Sequence, residues 1–263
     1  MKIFAAALII GLSVAGNLSS LAAAAPHEPL PRAHAHNDYL HPRPLHDALA
    51  HGFRSVEADI WLTNGTLLVA HDLDKVHPSR TLESLYLQPL RTFVRTNSGP
   101  RLPITLLIDI KSEAEATYKV LARRLEAYSD ILSRFESNRT VTQAVTVVLS
   151  GNRPVTTLSN EVVRYAAIDG RLPDLDGTSS AVLIPLISDN WTRHFTWRGI
   201  GPLPAAERMK LRQMVERTHT QGRRLRFWAT PDNPAGWKEL NDAGVDLLNT
   251  DRLPELERFL RKE

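Results

Sequence analysis

Short apolar, β-branched runs recur along the whole chain, and helical spacing fills most of the gaps between them. The runs are Arg32–His36, Ser55–Leu62, Leu67–His71, Ile104–Lys111, Ala144–Ser150, Val163–Ile168, Ala181–Ile187, Arg224–Ala229 and Val245–Asn249. Strands that alternate with helices pair in parallel, because each helix carries the chain back to the starting edge of the sheet. Eight or nine such runs in 263 residues suit one closed barrel better than two domains. The predicted fold is therefore α/β, a single TIM-like (β/α)8 barrel over residues 26–263.

The strongest predicted helix spans Glu113–Phe135. Ala114, Tyr118, Leu121, Leu125, Tyr128, Leu132 and Phe135 recur at alternating steps of four and three, which makes one buried stripe. Ser112 followed by Glu115 has the form of a capping box. A second helix begins near Pro204 and ends near Gly222, with Leu211, Met214, Val215 and Thr218 inward. Shorter helices fit Pro44–His51, Pro234–Ala243 and Pro254–Arg261. Asn64-Gly65 favours a two-residue hairpin turn, so Leu67–His71 reads as a returning outer arm.

Reacting groups of an α/β barrel collect where its strands end at the C-terminal face. His36, Glu57, Asp59, Asp109, Lys111, Trp228 and Asp251 all fall at or near predicted strand ends. Glu57-Ala58-Asp59 lies between Val56 and Ile60-Trp61, in a run that should be buried. Two carboxylates on one face there repel and take up protons unless something cationic pairs them. A hard divalent cation such as Mg²⁺ or Ca²⁺ meets that need. Asp109 and Lys111 repeat the two-residue spacing in another buried run, where a structural ion pair is the competing explanation. Imidazoles titrate near neutral pH and can exchange base and acid roles. The candidates are His71 and one of His34 or His36. Asn37 reads either as an amide for metal or substrate or as a turn former. The aromatic loop Asn190–Trp197 reads either as an apolar platform beside Trp228 or as cover for the barrel rim.

The spacing His36–Glu57–Asp59–His71 resembles that of the glycerophosphodiester phosphodiesterase and phospholipase C-like TIM barrels, including the sphingomyelinase D branch. One subgroup is similar over most of the chain, the proteins called altered inheritance of mitochondria protein 6 and their bacterial relatives. The stretches are AHNDYLHPRPLHDALAHGFRSVEADIWL (35–62), LLVAHD (67–72), LLIDIK (106–111), LISDNWTRHFTWRG (186–199), RFWATP (226–231) and GVDLLNTD (244–251). The resemblance implies a metal-dependent phosphoric diester hydrolase. Glu57, Asp59 and Asp109 then hold Mg²⁺ or Ca²⁺, and His36 and His71 share the acid and base roles. Lys111 meets the phosphate, with Trp228 and Asn37 also at the substrate, a small-molecule or lipid phosphodiester. The subgroup motif His-Asn-Asp-Tyr favours His36 over His34, and the chemistry allows a cyclic phosphate as intermediate or product. The Glu-Asn-Thr triplet that usually follows the first histidine is missing, with Asp38 and His46-Asp47 nearby instead, which counts against glycerophosphodiesters as the substrate. Two rivals stand beside this reading. One is a degenerate barrel that binds phosphate esters or sugars without turnover. The other is a barrel amidohydrolase built on His34-Ala-His36 and Asp251, which needs further histidines on middle strands, whereas only His194 and His219 follow His77.

The first 25 residues read as a secretory signal peptide: Lys2, an uncharged run from Ile3 to Val14, then small residues up to Ala25. A secreted, monomeric enzyme is expected, or a periplasmic one in a bacterium. With no cysteine, the protein has neither a disulfide nor a thiolate nucleophile. A net charge of +3 without a polybasic run excludes nucleic acid as partner, while the substrate class leaves room for transient contact with a membrane surface. Arg91, Arg95, Arg123, Arg124, Arg223 and Arg224 are read as solvated. Sequons at Asn64, Asn138 and Asn190 suit a glycoprotein.

Overall fold

A computed structural model describes residues 28–97 and 103–263. The predicted signal peptide lies outside the described residues. The strands are β1 (Leu30–Ala35), β2 (Phe53–Thr63), β3 (Thr66–Val69), β4 (Ile104–Ile110), β5 (Arg134–Glu136) and β6 (Thr140–Val141). They continue with β7 (Val145–Gly151), β8 (Val163–Arg164), β9 (Ala167–Gly170), β10 (Leu186–Asn190), β11 (Arg224–Trp228) and β12 (Leu248–Thr250). The helices are α1 (His46–Ala50), α2 (Gln88–Thr96), α3 (Ala114–Glu126), α4 (Val155–Asn160), α5 (Trp191–His194), α6 (Ala205–His219), α7 (Pro234–Ala243) and α8 (Leu253–Leu260).

Eight strands pair in parallel in the order β11-β10-β9-β7-β4-β2-β1-β12. A parallel bridge between Arg226 and Leu247 joins the two ends, so the predicted barrel closes. Strand β3 is the antiparallel return of a hairpin on β2, turning at Asn64 and Gly65 with φ of 49° and 75° as a two-residue turn demands. A small antiparallel sheet, β6-β5-β8, lies apart from the barrel.

Side chains alternate across each strand, and that period of two divides the protein. Val56, Ala58 and Ile60 of β2, with Leu106, Ile108 and Ile110 of β4, pack into the large apolar core shared with the helices. The opposite face carries Glu57 and Asp59, in register with Leu107 and Asp109. Leu107, Val148, Leu186 and Leu247 form a separate small cluster that plugs the barrel interior below the carboxylates.

Several predicted boundaries move. Helix α3 stops at Glu126, although Tyr128, Leu132 and Phe135 are all buried as the stripe requires. After Tyr128 the chain turns, Leu132 bridges to Val145, and Phe135 joins β5, so strand pairing takes over from the helical pattern. The cap is Glu113, whose carboxylate accepts from the amides of Glu115 and Ala116; Ser112 instead accepts from the Leu62 amide. The run Val163–Ile168 splits around Tyr165-Ala166 into β8 and β9, and the strand expected at Ala181–Ile187 lies at Leu186–Asn190. Arg223 and Arg224 are not solvated. Arg223 is buried against the carbonyls of Asp174 and Ser179, and Arg224 reaches Thr105 on β4. Sequon residues Asn64 and Asn138 are exposed, whereas Asn190 caps α5.

Gly151 ends β7 with φ of +67°, and a Cβ there would lie 2.1 Å from Asp109 Oδ1 and 2.4 Å from the Ile110 carbonyl oxygen. Both the backbone angle and the contact oppose any side chain. Gly151→Ala should lower unfolding free energy by about 1–2 kcal/mol from backbone strain alone, read as a shift in the urea midpoint. An unchanged midpoint would contradict this account of the β4–β7 edge.

Candidate active site

At the C-terminal mouth of the barrel, Glu57 and Asp59 of β2 and Asp109 of β4 converge, and one oxygen from each lies within 4.8 Å of the others. The register of the two strands dictates this, because Asp59 and Asp109 are direct partners. Glu57 and Asp59 are buried. Each carboxylate meets different partners. Glu57 Oε2 accepts from His34 Nε2 at 3.0 Å and from the buried guanidinium of Arg226. Asp59 Oδ2 accepts from the Tyr39 hydroxyl at 2.8 Å and meets Lys111 Nζ at 3.0 Å. Lys111 Nζ also lies 3.4 Å from Asp109 Oδ1.

Electrostatics follow from that wiring. Burial opposes the charge on Glu57, but Arg226 and His34 overcome it and hold the carboxyl well below the usual range. Asp59 is pushed up to about 6, first by burial and then by the negative charge of Glu57. Burial also raises Asp109. Lys111 is raised, because Asp59 and Asp109 outweigh the cost of its own burial. The cluster thus carries more negative charge than its own cations settle. Asp59 Oδ1 is buried without a hydrogen-bond partner. An orphaned carboxylate oxygen amid converging hard donors fits a divalent cation held by Glu57, Asp59 and Asp109.

The two histidines of the His-Ala-His sequence have separate environments. His34 is fully buried, takes a hydrogen bond from Ser55 Oγ at Nδ1 (2.7 Å) and donates from Nε2 to Glu57. Burial lowers its pKa to about 3, so it is neutral. His36 lies just past the end of β1, where Asn37 turns the chain with φ of 47°, and it lines the open cleft. Its Nδ1 is 2.8 Å from Asp251 Oδ1. Burial works against protonation of His36, yet the bond to Asp251 and the charge on Glu57 outweigh it and raise the pKa. His71 mirrors this arrangement at the exposed lip, with Nδ1 2.8 Å from Asp72 Oδ1.

The cleft has a volume of about 200 Å³ and holds His36, Asn37, Glu57, His71, Asp109, Lys111 and Trp228 together. Every site residue expected from the sequence therefore meets at one mouth, Asp59 through its place in the carboxylate cluster. Asn37 turns the chain, as one of its two expected roles requires, and its side-chain oxygen accepts the Tyr39 hydroxyl. The aromatic loop is the exception. Trp191, Phe195 and Trp197 are buried, and Trp191 stacks on Phe195 at 3.9 Å, with both rings edge-on to Phe227. They cover the barrel flank, and Trp228 alone of the expected aromatics reaches the cleft.

Three residues escaped the sequence reading. Arg226 neutralises Glu57 and is anchored by Nε on Asn249 Oδ1 at 2.8 Å. Arg171 lines the cleft with its guanidinium 5.0 Å from the Trp228 ring centre, held by Asp169 and by Ser150. Tyr39 reaches Asp59. The available signal was the alternation Arg224-Leu-Arg226-Phe-Trp228, which places charges on the inward period of a buried strand.

Comparison with known proteins agrees with this geometry. The chain matches the AIM6-like phosphodiesterase domain over residues 27–103 and 96–169, and the glycerophosphoryl diester phosphodiesterase family over 224–254. It is 32% identical to altered inheritance of mitochondria protein 6 of Eremothecium gossypii, across 88% of this chain and 69% of that protein. It is 28% identical to the Arthroderma benhamiae homolog, across 85% and 81%. In fold it is similar to a calcium-dependent phosphoinositol-specific phospholipase C from a Pseudomonas species (TM-score 0.61, 14% identity, 87% of this chain and 91% of the other). It is also similar in fold to a glycerophosphodiester phosphodiesterase from Parabacteroides distasonis (TM-score 0.55, 16% identity, 89% and 98%). A domain match across more than half the chain and a relative of this identity over most of it place the protein in the AIM6-like phosphodiesterase family, within the glycerophosphodiester phosphodiesterase-like superfamily.

Proposed function

We propose that this protein hydrolyses phosphoric diesters, with His36 and His71 as its acid–base pair. The observation that carries the reading is that both imidazoles line one cleft beside the acidic cluster and each is tied at Nδ1 by a carboxylate. An ionised carboxylate only accepts, so Nδ1 carries the proton and Nε2 is the atom left for the substrate. One imidazole takes a proton from the attacking hydroxyl, and the other returns one to the leaving oxygen. A divalent cation held by Glu57, Asp59 and Asp109 supplies charge neutralisation at the phosphoryl oxygens. Lys111 and Arg171 add positive charge to the cleft wall, where it meets the charge that grows in the transition state. Trp228 gives the wall a flat apolar face, which suits a phospholipid-like substrate.

The amidohydrolase alternative loses its metal pair, because His34 is spent on Ser55 and Glu57 inside the barrel. The non-hydrolytic alternative is decided by turnover. The full chain should cleave bis-p-nitrophenyl phosphate, lose that activity in EDTA and regain it with added Mg²⁺ or Ca²⁺. His36→Ala and His71→Ala should each lower the rate on the order of a hundredfold. Wild type that binds but never cleaves supports the degenerate barrel.

The Asp251 contact gives a prediction in pH. A raised folded-state pKa keeps His36 protonated to higher pH than an ordinary imidazole. Asp251→Asn removes the chief raising contact, so the limb of the kcat/KM profile that belongs to His36 should move to lower pH. If that is the alkaline limb, His36 is the acid; if the acidic limb, it is the base. Two limbs that stay in place would show that Asp251 does not tune the reacting imidazole.

A further inference from the structure

We propose that Arg226, with His34 and Tyr39, leaves Glu57 and Asp59 one free oxygen each, so the site takes magnesium in preference to calcium. The inference rests on the reading above that Glu57, Asp59 and Asp109 hold a divalent cation.

Neighbouring groups already hold some of the carboxylate oxygens. Glu57 Oε2 is occupied twice, by His34 Nε2 and Arg226 Nη2, which leaves Oε1. Asp59 Oδ2 is occupied by Tyr39 and Lys111, which leaves the buried and unpartnered Oδ1. Asp109 Oδ1 faces Lys111 Nζ at 3.4 Å. An arriving cation displaces the lysine ammonium by like-charge repulsion. The tyrosine hydroxyl, the neutral imidazole and the anchored guanidinium have no comparable reason to leave.

Rigidity turns that occupancy into selectivity. Arg226 is buried and tied at Nε to Asn249, so its hold on Glu57 is not that of a swinging surface side chain. Asp59 and Asp109 are cross-strand partners in a continuous parallel ladder, which limits how far their carboxylates can part. Calcium takes about 6–8 oxygens and commonly uses carboxylates in bidentate fashion. Magnesium takes an octahedral set, keeps several waters, and accepts single oxygens from a few carboxylates and the substrate phosphate. Two carboxylates limited to single oxygens in a stiff frame suit the second ion. Arg226 is thus a positioning residue, acting on the metal through Glu57.

The test is isothermal titration of the full chain with MgCl2 and with CaCl2, on wild type, Arg226→Met and Arg226→Lys. Wild type should bind Mg²⁺ about tenfold more tightly than Ca²⁺ or better, the low end of what partners of metal ligands contribute. Arg226→Met leaves Glu57 Oε2 with only the His34 hydrogen bond and removes a positive charge, so both ions gain. The Ca²⁺ affinity should gain more, moving the Mg:Ca ratio about tenfold toward calcium. Arg226→Lys keeps the charge without the forked grip on Glu57 and Asn249. It should move the ratio the same way by less, and it decides the matter if the methionine variant fails to fold. Binding with no preference for Mg²⁺, or variants that keep the wild-type ratio, would overturn the inference while leaving the metal reading intact. Absence of binding for both ions would overturn both.

Discussion

Three carboxylates gathered at one end of a barrel, two of them buried, cannot all stay ionised without help, and much of the surrounding polar structure answers that repulsion. Glu57 receives a guanidinium and an imidazole from within the barrel, and Asp59 and Asp109 share one lysine at the rim. Removing one member of such a group leaves a buried charge alone, which costs far more than the group contributes as a whole. The arrangement is therefore specific rather than strongly stabilising. Its neutralisation is incomplete at Asp59 Oδ1, which has no hydrogen-bond partner.

The loops that carry the proposed reacting groups are held with similar economy. The Asp38 carboxylate receives the Leu45 amide and the Tyr86 hydroxyl, fixing the loop after β1 that presents His36 and Asn37. Arg80 reaches the Tyr39 carbonyl, and Asp232 receives the amide of Asp251, so neighbouring loops brace one another. Among the described residues, the non-glycine residues at positive φ are Asn37, Leu45, Asn64 and Ala229. All but the hairpin Asn64 lie in the loops that follow β1 and β11, beside His36 and Trp228. Strain of that kind persists where surrounding contacts over-determine the backbone. Here those contacts aim one imidazole and one indole at the cleft.

Much of this was legible in the sequence because a buried strand has a rigid period of two. Glu57-Ala-Asp59 and Asp109-Ile-Lys111 interrupt apolar runs on that period, so their shared face could be read directly, and the barrel followed from the alternation of runs and helices. The same period could not separate His34 from His36, which share a face. What separates them is the end of β1 at Ala35, a boundary set by tertiary pairing. Arg226 and Arg171 were hidden for another reason. Basic side chains are ordinarily solvated, and the Glu57 partner of Arg226 stands far away in the chain. Helix α3 misled in the opposite direction, since Leu132 and Phe135 are buried as a helical stripe demands but by strand and turn instead.

The central claim is that the negative mouth of the barrel is made for a cation and that Lys111 stands in for part of its charge. Crystals soaked in Mn²⁺ test this directly through anomalous scattering, since that ion marks its own position. The account predicts one strong peak bonded at about 2.0–2.6 Å to oxygens of Glu57, Asp59 and Asp109, with Lys111 Nζ withdrawn from Asp109. A peak away from these three residues, or none while Lys111 keeps both carboxylates, would contradict it.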